Sequence, residues 1–187
     1  MYRFQLNEIQ IPKSVKVFSF KIILLLILWE VLYAFILFPA RIPDKQLSSI
    51  TAAGTAKLIN LFYPNDLFEY RSLEEGEPKS FKETVFFNHQ KLIGIADGCN
   101  ALELQVLYFG ILICLQKLTH KTLWYSVIGV ALISVCNILR CSIICWLNIS
   151  RHLDLSVFAH HYLFKMLMYG LIFWGWVSYS SSKQQYA

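Results

Sequence analysis

Residues 22–40 form an almost uninterrupted hydrocarbon run, broken only by Glu30, and no other segment restricts the chain as tightly. As a helix the run rises roughly 28 Å, which matches a bilayer core about 30 Å thick. A secretory signal is the competing explanation. Its apolar region would be only about 7–15 residues long, and "LFPARIP" is a poor small-x-small cleavage site, so the run reads as a retained anchor. Composition agrees, because a hydrophobic fraction of 56% and a mean hydropathy of +0.48 lie above the usual range of soluble domains.

Three more runs, 100–118, 122–139 and 162–179, approach the length of about 20 residues that a span needs. Each has Trp or Tyr near an end or flank, where amphipathic rings favour the membrane interface. Apolar residues at 142–147 let the third helix extend or bend beyond Arg140. Basic residues then fix the orientation. Arg3, Lys13, Lys16 and Lys21 precede the first span, Lys117 and Lys121 lie with His120 between the second and third, and Lys183 follows the fourth. All fall on one side of a four-span chain, which places both termini in the cytoplasm and residues 41–98 outside. The outer segment balances Asp66, Glu69, Glu74, Glu75 and Glu77 against Arg71, Lys79 and Lys82. The net charge of +5 is thus explained by span flanks, and no basic stripe with interleaved aromatics points to nucleic acid.

The expected fold is an all-α membrane protein in one integral membrane domain, 1–187: a bundle of about four transmembrane helices with two outer additions. Residues 49–62 have helical apolar spacing but are too polar to span comfortably, and so predict an interfacial helix on or dipping into the outer leaflet. After turn material at "EEGEPKS", the stretch "ETVFFNHQKLIGIADG" predicts a small extracytoplasmic β-hairpin around Asn88, His89 and Gln90, with Gly94 weakening its second strand.

Three short motifs carry candidate chemistry. In "ADGCNALE", Cys99 sits where the outer loop turns into the second span. Asp97 or Asn100 can cap that helix, and Asn100 with Glu103 resembles a capping box. A helix N-terminus favours a thiolate, and Gly98 leaves room for a substrate carbonyl beside the sulfur. The alternatives are a buried structural cysteine or half of a disulfide with Cys145. Five cysteines are no disulfide framework in a chain of this length; Cys114, Cys136, Cys141 and Cys145 lie in apolar runs, where free Cys acts as a small hydrophobe.

In "NILRCS", Arg140 lies near the outer end of the third span. A guanidinium costs about 2.5–3.5 kcal/mol at mid-membrane and less at the interface, so a partner is expected: a substrate carboxylate, a developing oxyanion, or lipid headgroups reached by snorkelling. Asn137 stands one turn away on the same face and is placed to orient it. In "FAHHYLFK", His160 and His161 open the fourth span, and an imidazole there can take a thiol proton and return it to a leaving amine. Headgroup contacts are the plainer explanation for either ring. No HExxH, CxxC or pair of histidines at helical spacing supports a metal, and no cofactor is expected. Glu103 and Lys165 lie one turn inward of Cys99 and His161, where a buried Glu–Lys or Glu–Arg pair would brace the helices. Glu30 has no evident role.

A Cys in a small-residue turn opening one span, "NxxR" at the outer end of the next and a His opening the one after resemble the exosortase/archaeosortase family. The short length, "GCN" and "HHYLFK" look most like the exosortase F branch, over about residues 87–169. The resemblance implies a bacterial inner-membrane, multi-pass cysteine transpeptidase or protease with an extracytoplasmic active site. Its substrates would be exported proteins with a C-terminal motif, helix and basic tail, cleaved and transferred to an acceptor. It implies Cys99 as nucleophile, Arg140 as stabiliser of the tetrahedral intermediate and His160 as general acid/base, with His161 second because the register after His160 fits the family pattern better. The chain is shorter than many members, which implies a partner membrane protein besides membrane lipids. Two other functions compete. A non-catalytic membrane assembly or sorting subunit would use the same polar residues to hold helices together. A small-solute transporter would need ionisable residues at mid-membrane and broken helices, whereas the best candidates here sit at one edge.

Overall fold

The computed structural model describes residues 12–64, 66–72, 83–115 and 119–184. Arg3, Lys117, Leu118 and the "EEGEPKS" turn lie outside the described residues. Helices dominate. Helix α1 (Lys13–Leu32) passes through a π-helical turn (Tyr33–Leu37) into the short α2 (Phe38–Ala40), and Arg41, left-handed at φ 52°, ends it. Then come α3 (Asp44–Phe62), strands β1 (Phe68–Ser72), β2 (Glu83–Phe87) and β3 (Gln90–Ile95), and a 3-10 turn (Asp97–Cys99). Helices α4 (Leu102–Leu115) and α5 (His120–Ile149) follow. The chain closes with α6 (Leu153–Phe158), a second π-helical turn (Ala159–Leu163) and α7 (Phe164–Gln184).

Among the described residues, two stretches are long and apolar enough to cross a membrane, Val15–Ala40 and His120–Ile149, and Leu102–Cys114 is a shorter apolar helix. The first is almost bare: Phe20, Leu28 and Phe35 are exposed along it, and so is Glu30, for which the fold offers no account. It meets the rest of the protein mainly through α4.

Helix α5 is the axis of the molecule. Thr119 caps it through a reciprocal pair with Thr122, which satisfies the otherwise orphaned first-turn groups. It continues unbroken past Arg140 to Ile149, as the apolar residues at 142–147 allow. At 30 residues it is about 45 Å long, roughly 15 Å more than a bilayer core. Its first half packs with α4 and α7 around Tyr108, Leu112, Ile133, Met168 and Ile172. Gly129 is what lets Tyr108 in, since a Cβ there would overlap the ring, whose hydroxyl donates to the Tyr125 carbonyl at 3.0 Å. At one end of this layer the Thr122 and Tyr179 hydroxyls bond at 2.8 Å. The second half of α5 leaves that layer and packs Cys141 and Cys145 against Ala52, Ala56 and Ile59 of α3 and against Phe68, Val85 and Ile95 of the sheet.

The expected interfacial helix, hairpin and fourth helix each differ from what the sequence implied. Helix α3 starts five residues earlier than the apolar spacing implied, and it buries Asp44, Ser48, Thr51, Ala52, Thr55, Ala56 and Ile59 on one stripe. Small and hydroxyl side chains make that stripe fit α5 and the sheet, leaving Ile50, Leu61 and Phe62 on the other face. The hairpin is present, but its turn is Asn88–His89, both with positive φ (47° and 67°), and Gln90 already pairs with Phe87. It also has a third strand: β1 pairs antiparallel with β2, and Asn60 of α3 binds both the N–H and the C=O of Phe68. Finally, α6, the π-helical turn and α7 are continuous, so His160 and His161 do not open a helix but sit in its wound-out turn.

Candidate active site

The turn that carries Cys99 is tied down through its backbone and its neighbours, and among the described residues no hydrogen bond reaches its sulfur. The Cys99 N–H closes the 3-10 turn on Ala96 O at 2.8 Å. Its carbonyl accepts from Asn137 Nδ2 at 2.9 Å, and Asn137 is fully buried. Asn137 therefore holds Cys99 rather than Arg140, which corrects the role expected from helical spacing alone. On the N-terminal side Arg41 grips Asp97 bidentately, Nε–Oδ2 2.8 Å and Nη2–Oδ1 2.7 Å, and Ser48 Oγ donates to Oδ1 at 3.1 Å. The bond to Asp97 pushes the Arg41 pKa up from its ordinary value. On the C-terminal side Asn100 donates to Asp44 Oδ1 at 2.7 Å and accepts from the Leu102 N–H at 2.9 Å.

Of the two expected caps, Asn100 is the one that serves α4, and no bond from Glu103 completes a box among the described residues. Cys99 lies ahead of α4 in the 3-10 turn, not in the helix's first turn. All five cysteines are free, which removes the bridge to Cys145.

Arg140 and His160 meet. Nη2 of Arg140 lies 3.0 Å from Nδ1 of His160. A guanidinium only donates, so Nδ1 is the acceptor and the neutral ring carries its proton on Nε2. Burial first, and then the Arg140 charge, lowers the His160 pKa, which favours that neutral ring. His161 stacks edge-on against His160, centroids 5.0 Å apart, and is itself exposed. Nε of Arg140 is buried with no hydrogen-bond partner. A cation whose one hydrogen-bond partner among the described residues is a neutral ring is poised for an anion or a polarised carbonyl.

That cation opens on a cavity of about 160 Å³ whose walls include Tyr33, Asp44, Glu103, Arg140, Lys165 and Tyr169, together with Gly98 and Asn100 on either side of Cys99. Glu103 and Lys165 are exposed rather than buried, and among the described residues no ion pair joins Glu103 to Lys165 or Arg140. The expected brace is replaced by Arg41–Asp97, which sequence spacing did not suggest because 56 positions separate the partners. Thus Arg140 touches His160, and Asn137, one turn away on α5, touches Cys99. No hydrogen bond links the Cys99 thiol to His160 among the described residues. The same residues contain no group of three His, Cys, Asp or Glu side chains placed to hold a metal.

The family model described as transmembrane exosortase matches residues 12–180, nearly the whole chain. No curated protein matches, and no solved structure does. With a match of that extent, this chain belongs to the transmembrane exosortase family.

Proposed function

We propose that the protein is a membrane cysteine transpeptidase of the exosortase F type that cleaves C-terminal sorting signals of exported proteins at the extracytoplasmic face. Cys99 is the nucleophile, His160 the general acid/base and Arg140 the stabiliser of the tetrahedral intermediate. The observation that carries this reading is the 3.0 Å Arg140–His160 contact one helical turn from the residue that holds the Cys99 backbone.

The tautomer dictates the order of events. Nδ1 of His160 becomes basic once Arg140 turns its donors to the substrate carbonyl. The thiol proton then passes to that nitrogen, and the sulfur electron pair forms a bond to the carbonyl carbon. The π pair moves onto oxygen, where Arg140 neutralises it. Collapse breaks the C–N bond, His160 returns the proton to the departing amine, and a thioester remains on Cys99. An acceptor nucleophile or water resolves it. A substrate held by its own transmembrane helix arrives oriented, so little soluble binding surface is needed.

In this reading the chain crosses the bacterial inner membrane four times with both termini in the cytoplasm, and a partner membrane protein packs beside its spans. A second reading, a non-catalytic assembly or sorting subunit, is favoured by one observation: Cys99 packs against the apolar cluster that contains Cys141 and Cys145. Processing of a tagged exported protein bearing a C-terminal motif, helix and basic tail separates the two. A Cys99→Ala protein that accumulates normally should not process it detectably, because no thioester can form, whereas His160→Ala should process it about 10²–10⁴-fold more slowly and His161→Ala at close to the native rate. Normal maturation by Cys99→Ala excludes the thiol mechanism.

A further inference from the structure

We infer that Arg41, Asp97 and Ser48 form a positioning clamp that sets the register of the Cys99 turn against Arg140. The inference rests on the transpeptidase reading and adds a function for the outer end of the first span and the start of α3.

Three observations converge on it. The Arg41–Asp97 pair is bidentate at 2.7 and 2.8 Å, its side chains are only 19% and 20% exposed, and Ser48 adds a third bond to the same carboxylate. Charge-assisted, bidentate and partly buried pairs are the geometrically exacting kind. The backbone at both edges of the assembly is held in the left-handed region, Arg41 at φ 52° and Ala101 at φ 67°, a conformation that non-glycine residues keep only when surrounding contacts over-determine it. Lastly, Gly98 between Asp97 and Cys99 has open space around its missing Cβ, so no packing fixes the turn there. Cys99 itself packs against the apolar cluster, so on its N-terminal side the turn depends on its bonds. Asn137 fixes the carbonyl of Cys99 from α5, and the clamp fixes the residue two positions earlier from the opposite side. The result is one nucleophile backbone registered against two helices.

A misplacement of about 1 Å costs on the order of 100-fold in rate. Arg41→Ala and Asp97→Asn should therefore lower the processing rate constant of the tagged substrate about 10- to 100-fold at unchanged half-saturation. The exchanged pair, Arg41→Asp with Asp97→Arg, should recover most of that loss. A purely structural contact would change accumulation in the membrane, not the rate per accumulated molecule. Should the single variants not accumulate, Arg41→Lys and Ser48→Ala, which keep part of the clamp, are expected to accumulate and to slow the rate several-fold. Native rates per molecule in the accumulating variants, or slow singles that the exchange does not rescue, overturn the clamp. Cys99→Ala in the same assay keeps the two ideas apart: if it processes normally the transpeptidase reading fails, whereas a dead Cys99→Ala beside fully active clamp variants removes the clamp alone.

Discussion

At the scale of single residues, the proposed chemistry turns on a neutral histidine beside a permanent cation. Folding lowers the His160 pKa through burial and then through Arg140, so the unfolded chain binds the proton more readily than the folded one. The stability this site contributes is complete above the ordinary histidine value of about 6.5 and is lost as pH falls from there through the lowered folded-state value. The base is needed unprotonated, so the acid limb of the pH–rate profile should lie below about 6.5. A limb of kcat/KM above that value would mean that Arg140 does not face His160 in the free enzyme. The motifs singled out Cys99, Arg140 and His160 one by one, and the contact between Arg140 and His160 is what the structure adds to them. The direction of Asn137 was not legible: helical spacing gives neighbours on its own helix, whereas its partner is a backbone carbonyl 38 positions away.

At the scale of elements, close approach decides the packing. Tyr108 fills the space over Gly129, with Gly175 beside it on α7. Gly129→Leu should force the ring out and cost about 1–3 kcal/mol, read as a lowered melting midpoint in detergent. A midpoint equal to the native one would show that α4 and α5 are not packed as described. The long helices and the hairpin were readable because apolar runs and strand alternation are local signals. Strand β1 was not, although "FEYRS" alternates: Phe68 points to the core while Glu69 and Arg71 pair outside at 2.6 Å, and those charges look like ordinary loop. The place of His160 inside a continuous helix was hidden for a similar reason, since a π-helical turn keeps helical composition while shifting which face each residue meets.

At the scale of the whole molecule, two hydrogen bonds between α5 and the continuous α6–α7 rod set the geometry. Thr122 meets Tyr179, and Arg140 meets His160. Along α5 those points are about 27 Å apart, close to one hydrocarbon thickness, so Arg140 comes to the far membrane edge if Thr122 lies at the near one. Labelling of intact cells with a membrane-impermeant thiol reagent should therefore modify Cys99 and should not modify Lys121→Cys. Reaction at both, or only at position 121, contradicts the proposed orientation.

The most direct test of the central claim is capture of the covalent intermediate. Tagged substrate mixed with membranes and quenched in acid should give a substrate–enzyme adduct that hydroxylamine releases, as a thioester requires, and that maps to Cys99. The account predicts that adduct in the native protein and its loss in Cys99→Ala. An adduct on another residue, or processing that continues in Cys99→Ala, would contradict it.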